Sequence, residues 1–309
     1  LKKDTAIENV TTPIQTPTRE NSVWKPVYTY IALGAALLVL FVSVFFQSIV
    51  NTTSYVLDNV GQDFIFFMMA GFIAQMIDGA LGMAYGVSAS TFLMTLGVSP
   101  AAASASIHTS EIFTSGVSGL MHLRFRNVNK KLLKTLLLPG VIGAALGAYV
   151  LSSLEEYKGV IRPVIALYTL YLGVLIIMKA IRGGRRRIKT KNIPRLAVFG
   201  GFMDSIGGGG WGPIVSSTLI AGGRHPRYTI GSVNLAEFFV ALASSITFLA
   251  VIGLHHWQII VGLILGGVIA APIAAYLSKK LHIKAMLVLV GVVVMAVSIV
   301  IIVRSLITG

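Results

Sequence analysis

Residues 126 positions apart match along about 70 residues without a gap, so the chain must fold as two equivalent halves. Asp78 answers Asp204, Gly82 answers Gly208 and Gly86 answers Gly212, while Tyr85 faces Trp211, aromatic for aromatic. Ser90, Leu93, Gly97 and Pro100 return as Ser216, Leu219, Gly223 and Pro226. Ser106, Glu111 and Phe113 return as Ser232, Glu237 and Phe239. Further on, Gly140, Ala144, Ala145 and Ala148 return as Gly266, Ala270, Ala271 and Ala274. Low-complexity apolar similarity does not place Asp, Pro and Glu in one register.

Each half is built from apolar runs. Hydrophobic residues make up 55% of the 309-residue chain, charged residues 12%, and the mean hydropathy is +0.82. That composition predicts an all-α, polytopic membrane protein with almost no room for a soluble domain. The absence of cysteine excludes a disulfide framework and a thiolate metal site. The six histidines are scattered, and no Walker, Rossmann or nucleophile-elbow motif is present. An enzyme is therefore not expected, nor is any cofactor or metal. In a membrane chain the net charge of +14 reads as basic cytoplasmic loops rather than nucleic-acid binding.

Residues 1–26 are polar, rich in Thr and Pro, and read as a disordered cytoplasmic tail without signal-peptide features. An extra transmembrane span follows at 27–50. The first repeat covers 64–181, with a broken apolar stretch at 64–96 and spans at 101–122, 132–153 and 162–181. A basic linker, 182–195, precedes the second repeat at 196–306, with a broken stretch at 196–222 and spans at 229–252, 258–277 and 285–306. Basic residues concentrate in 123–134, 182–195 and 278–284, which the positive-inside rule places in the cytoplasm. Loops 51–63, 154–161 and 253–257 carry no positive excess and belong outside, with His255, His256 and Trp257 at the interface. The N-terminus is then cytoplasmic, and 64–96 must enter and leave on the outer side. Its return limb and limbs 195–206 and 214–222 would each span roughly 15–18 Å, about half of a ~30 Å hydrocarbon core. The expectation is two inverted repeats, each a Gly-rich re-entrant or broken-helix hairpin plus three spans.

Both hairpin tips then reach the midplane. The second carries Gly207, Gly208, Gly209 and Gly210 before Trp211; the first carries Gly82, Tyr85 and Gly86. Each glycine costs about 1 kcal/mol in a helix relative to Ala, and irregular backbone at membrane depth survives only inside protein or beside a water-filled cavity. Opposed N–H nests at such tips make an anion site; tight helix crossing is the other use for these glycines. Four acids fall within membrane segments: Asp78, Glu111, Asp204 and Glu237. Acids there cost at least ~2.5–3.5 kcal/mol each. They serve coupling or gating, or else brace the tips and end the broken helices. His108 lies three residues before Glu111, on the same helical face, where Asn234 precedes Glu237. His108 and Asn234 join the candidate substrate-binding residues, and His108 can carry a proton near neutral pH.

The sequence resembles the sulfite exporter TauE/SafE family of anion permeases over about 64–306. The resemblance rests on GGGGWGP at 207–213, DGALGMAYG at 78–86 and SPAAASASIHTSE at 99–111. It implies export or import of sulfite, a sulfonate or a related organosulfur anion, and the reading taken is a secondary transporter working as an exporter. A channel-like anion pore and a non-transporting membrane scaffold are the alternatives. Expected partners are the small anionic substrate, membrane lipid, a coupling proton and a second copy in a homo-oligomer. The expected location is the cell membrane, multi-pass.

Overall fold

Proline and short polar caps start the helices where the sequence changes from loop to apolar run. The computed structural model describes residues 63–81, 83–182, 192–253, 256–277 and 283–308, and the elements there are all helical. The first half holds α1 (Asp63–Leu81), α2 (Tyr85–Thr95), α3 (Pro100–Arg124), α4 (Lys130–Ser153), a 3-10 turn (Glu155–Tyr157) and α5 (Lys158–Arg182). The second holds α6 (Ile193–Gly207), a π-helical stretch (Trp211–Ser216) running into α7 (Ser217–Ala221), α8 (Pro226–Ile252), α9 (Trp257–Leu277) and α10 (Ile283–Thr308). Ser99 caps α3 by accepting the Ala102 N–H, and Asn129 and Asn192 cap α4 and α6 in the same way. Pro100 and Pro226 open α3 and α8, where a missing N–H costs nothing.

The order of elements returns at the spacing of the sequence repeat, and so do their contacts. α1 lies along α9, and its counterpart α6 lies along α4. α3 pairs with α8, and α5 with α10. Small residues set these distances. A Cβ on Gly143 of α4 would sit 2.1 Å from the Val198 carbonyl oxygen of α6, and one on Gly266 of α9 would sit 2.0 Å from that of Met68 on α1. Backbones that close need glycine at the crossing.

Among the described residues, four helices are long and apolar enough to cross a membrane: Lys130–Ser153, Glu155–Ile181, Pro226–Ile252 and Leu287–Ile307. Leu138, Leu146, Leu167, Ile246 and Leu289 stand exposed on their outer faces, as lipid-facing residues do. The 25-residue α3, an expected span, is not among the four. Its Ser104, Ser106, His108, Ser110 and Glu111 are buried against protein, so its polarity faces inward. The first limb of the first hairpin also departs from expectation. α1 continues through Asp78 and Gly79 to Leu81, 19 residues in all, and packs against α9. Expectations for the tail 1–26, the span 27–50, Gly82, His255, most of the linker 182–195 and the loop 278–282 fall outside the described residues.

Candidate functional site

The chain reverses at two places buried in the protein. Ala84 ends the first reversal at φ 85°, a left-handed conformation unusual for a residue with a Cβ. Gly208 ends α6 at φ 65°, where glycine carries no such cost. The two tips interlock. A Cβ on Gly86 would lie 2.3 Å from the Gly208 carbonyl oxygen, and one on Gly209 would lie 2.2 Å from the Val87 nitrogen. On the other side of the same contact, a Cβ on Gly212 would meet Met83 at 3.1 Å. Gly212 is the repeat partner of Gly86, and Gly209 that of Met83.

The N–H groups at the second tip are already engaged. Those of Gly208 and Gly209 reach the Asp204 carbonyl, and the Trp211 N–H donates to the Asp204 carboxylate at 2.8 Å, joined there by the Gly210 N–H. The first tip repeats the device: the Tyr85 N–H donates to the Asp78 carboxylate. Each Asp therefore ties down its tip through the residue seven positions on.

A cavity of about 250 Å³ lies against the joined tips. Asp78, Tyr85, Gly86, Glu111, Asp204, Gly209, Gly210, Asn234 and Glu237 line it, and it extends past Ser118 toward His122 and Ile230. Nine of the residues singled out in the sequence thus share one wall. The remaining described ones do not line it. Gly207 packs against the ring of Tyr168, and Gly208 against Ser90 and Ile107. Trp211 is fully buried, with its indole N–H donated to the Val233 carbonyl and its ring edge over Gly140.

His108 sits behind this wall, fully buried. Its Nε2 lies 3.2 Å from the Asp204 carbonyl oxygen, which can only accept, so Nε2 donates. Its Nδ1 lies 3.1 Å from Glu111 Oε2 and 3.8 Å from Asp204 Oδ2. One proton must lie between Nδ1 and Oε2, on either atom. Asp204 Oδ2 is buried with no hydrogen-bond partner. These three groups, with ligand atoms within 4.8 Å of one another, are also the cluster among the described residues compact enough to hold a cation.

The opposite end of the α3–α8 pair is sealed. Ser104 donates to the Ser205 carbonyl at 2.5 Å, the Ser205 and Ser244 hydroxyls lie 2.6 Å apart, and Phe248 stacks on His108 at 6.4 Å. Only about 10 Å³ of space remains beside Phe248. Sequence reasoning missed this serine seal, and it missed Tyr168, whose hydroxyl donates to the Gly209 carbonyl at 3.3 Å. Serines spaced along an apolar helix were the available signal; nothing in the spacing pointed to Tyr168.

Apolar helices that hold two broken segments against a polar cavity make a membrane protein with an internal site, and the known proteins it resembles are membrane transporters. The sulfite exporter TauE/SafE pattern matches residues 67–301, and the chain belongs to that family. It is 40% identical over 237 residues to the probable membrane transporter protein YtnM of Bacillus subtilis (strain 168), covering 74% of this chain and 78% of that protein. No solved structure matches the chain.

Proposed function

We propose that the protein is a secondary transporter, not an enzyme, that exports a small sulfur-containing oxyanion such as sulfite or an organosulfonate by alternating access. The observation carrying this reading is the cavity at the apposed tips, a buried polar space where two repeats meet. Three spans and a re-entrant hairpin make an odd number of crossings, so the second repeat would run inverted and the N-terminus would be cytoplasmic. Inverted repeats that place broken helices at a shared midplane site are a recurring transporter design.

The charges refine the reading. Among the described residues, four carboxylates line the cavity and no Lys or Arg does. An anion beside ionised carboxylates in a low-dielectric site is strongly repelled. A neutralising proton must therefore accompany it, and the His108–Glu111–Asp204 cluster holds that proton. The second half pairs Glu237 with Asn234, which carries no proton; Asn234 instead donates to Ser118 at 3.0 Å. The first half is thus the proton path, and Glu237 braces the tips.

Sulfite flux into proteoliposomes, with an imposed pH gradient and clamped potential, tests this. Glu111→Gln should leave flux measurable but independent of the gradient, while Glu237→Gln should mainly lower protein yield. Normal flux with unchanged pH dependence in Glu111→Gln would remove the proton role. Flux that rises linearly with sulfite, without saturation, would make the protein a pore.

A further inference from the structure

A second cavity, about 560 Å³ and larger than the first, lies between α5 and the second hairpin. Tyr168, Tyr171, Leu175 and Lys179 line it from α5, at spacings that put them on one face of the helix. Phe199 and Met203 face them from α6. Met83 and Pro213 line both cavities and form the wall between them.

Among the described residues, Lys179 is the one Lys or Arg that lines either cavity. It is half-buried, and its ammonium contacts the Met83 sulfur at 2.9 Å and donates to the Ser217 hydroxyl at 3.2 Å. Among the described residues no carboxylate pairs with it. A cation withdrawn from water onto a thioether and a hydroxyl lacks the counter-charge that burial demands. The second half keeps no such site: Val294, Val297 and Ser305 stand at the repeat positions of Tyr168, Tyr171 and Lys179.

We propose that this cavity binds an amphiphilic anion, its oxyanion head on Lys179 and Ser217 and its apolar tail along the two tyrosines and Phe199. Lys179 stands eleven positions after Tyr168 on α5, about 16 Å along the helix. That length suits an alkyl chain of several carbons and leaves a bare inorganic anion most of the space empty. The proposal rests on the transporter reading, because an occupant here touches Met83 and Pro213, the back of the transport site.

The test uses the full chain in phosphatidylcholine nanodiscs, with thermal unfolding as the readout, since a ligand that binds only the folded state raises Tm. The expected result is that 1-hexanesulfonate binds at least tenfold more tightly than methanesulfonate, and that hexyltrimethylammonium gives no shift. Lys179→Met should abolish the hexanesulfonate shift, and Lys179→Arg should restore it. An undiminished shift in Lys179→Met, or an equal shift from the cationic amphiphile, overturns the proposal. Loss of the wild-type shift in phosphatidylglycerol discs supports the site and identifies its occupant as an anionic lipid, itself an amphiphilic oxyanion; a shift retained there identifies a soluble one. Sulfite flux is measured in parallel. A protein that binds hexanesulfonate through Lys179 but carries no sulfite fails the transport reading alone.

Discussion

Asp204 shows how a residue that looks like a substrate contact can serve the backbone instead. An anion nest was expected at 207–210, and the anion nearest those N–H groups is the chain's own carboxylate. Removing it in Asp204→Ala would leave the buried Gly210 and Trp211 N–H groups unpaired, at about 1–3 kcal/mol each. At roughly 2–4 °C per kcal/mol for large domains, Tm in detergent should fall by roughly 4–24 °C. Asp204→Asn keeps an acceptor for Trp211 and should unfold near the wild-type temperature. It should nevertheless lose pH-dependent flux, because an amide removes the carboxylate that lies 3.8 Å from His108 Nδ1 and cannot take a proton from the cluster. Equal Tm in the Ala and Asn variants would show that the carboxylate does not hold the tip. The sequence made the acid legible through its repeat partner Asp78, but not its target, because a bond across seven residues requires knowing where the chain turns.

At the scale of elements, helix positions were readable and helix depths were not. Expected spans and observed helices differ by a few residues at their ends, because Pro and Asn mark the starts. The polar α3 was legible as the run 101–122, and the repeat that carries Glu111 onto Glu237 pairs it with α8. The length of α1 was not legible: Asp78 and Gly79 look like a break until α9 is known to lie beside them. The glycines of the tips were legible as a group, but their division of labour was not. Gly209 faces backbone, with Val87 nitrogen 2.2 Å from where a Cβ would sit and Gly86 carbonyl carbon at 2.4 Å. No flexible side chain is there to yield. Gly209→Val should therefore part the tips and abolish the thermal shift produced by sulfite. Gly159→Val, where a Cβ would meet nothing within 4 Å, should leave it intact. Retained sulfite binding in Gly209→Val would detach the site from the tip contact.

At the scale of the whole molecule, the two halves are equivalent in element order but not in the space beside them. The cavity runs from the tips toward Ser118 and Ile230, near the 125–129 turn, while the equivalent end at Ser104 and Ser244 is closed by hydroxyl bonds and Phe248. Repeats that exchange these two conformations would open one end as they close the other, which is how a duplicated fold transports without a continuous pore. The absence of cysteine makes this directly measurable. Asn129→Cys should react with an impermeant thiol reagent only from the cytoplasm, and Tyr157→Cys only from outside. With sides fixed, Ser118→Cys should react from the cytoplasm in resting protein, and Ser244→Cys should be at least tenfold slower from either side. Under sulfite turnover the Ser244→Cys rate from outside should rise while the Ser118→Cys rate falls, because both report one equilibrium. If the two rates rise together, the ends open independently and the exchange of halves is wrong. If Asn129→Cys reacts from outside, the hairpin 64–96 crosses the membrane and the repeats are not inverted as proposed.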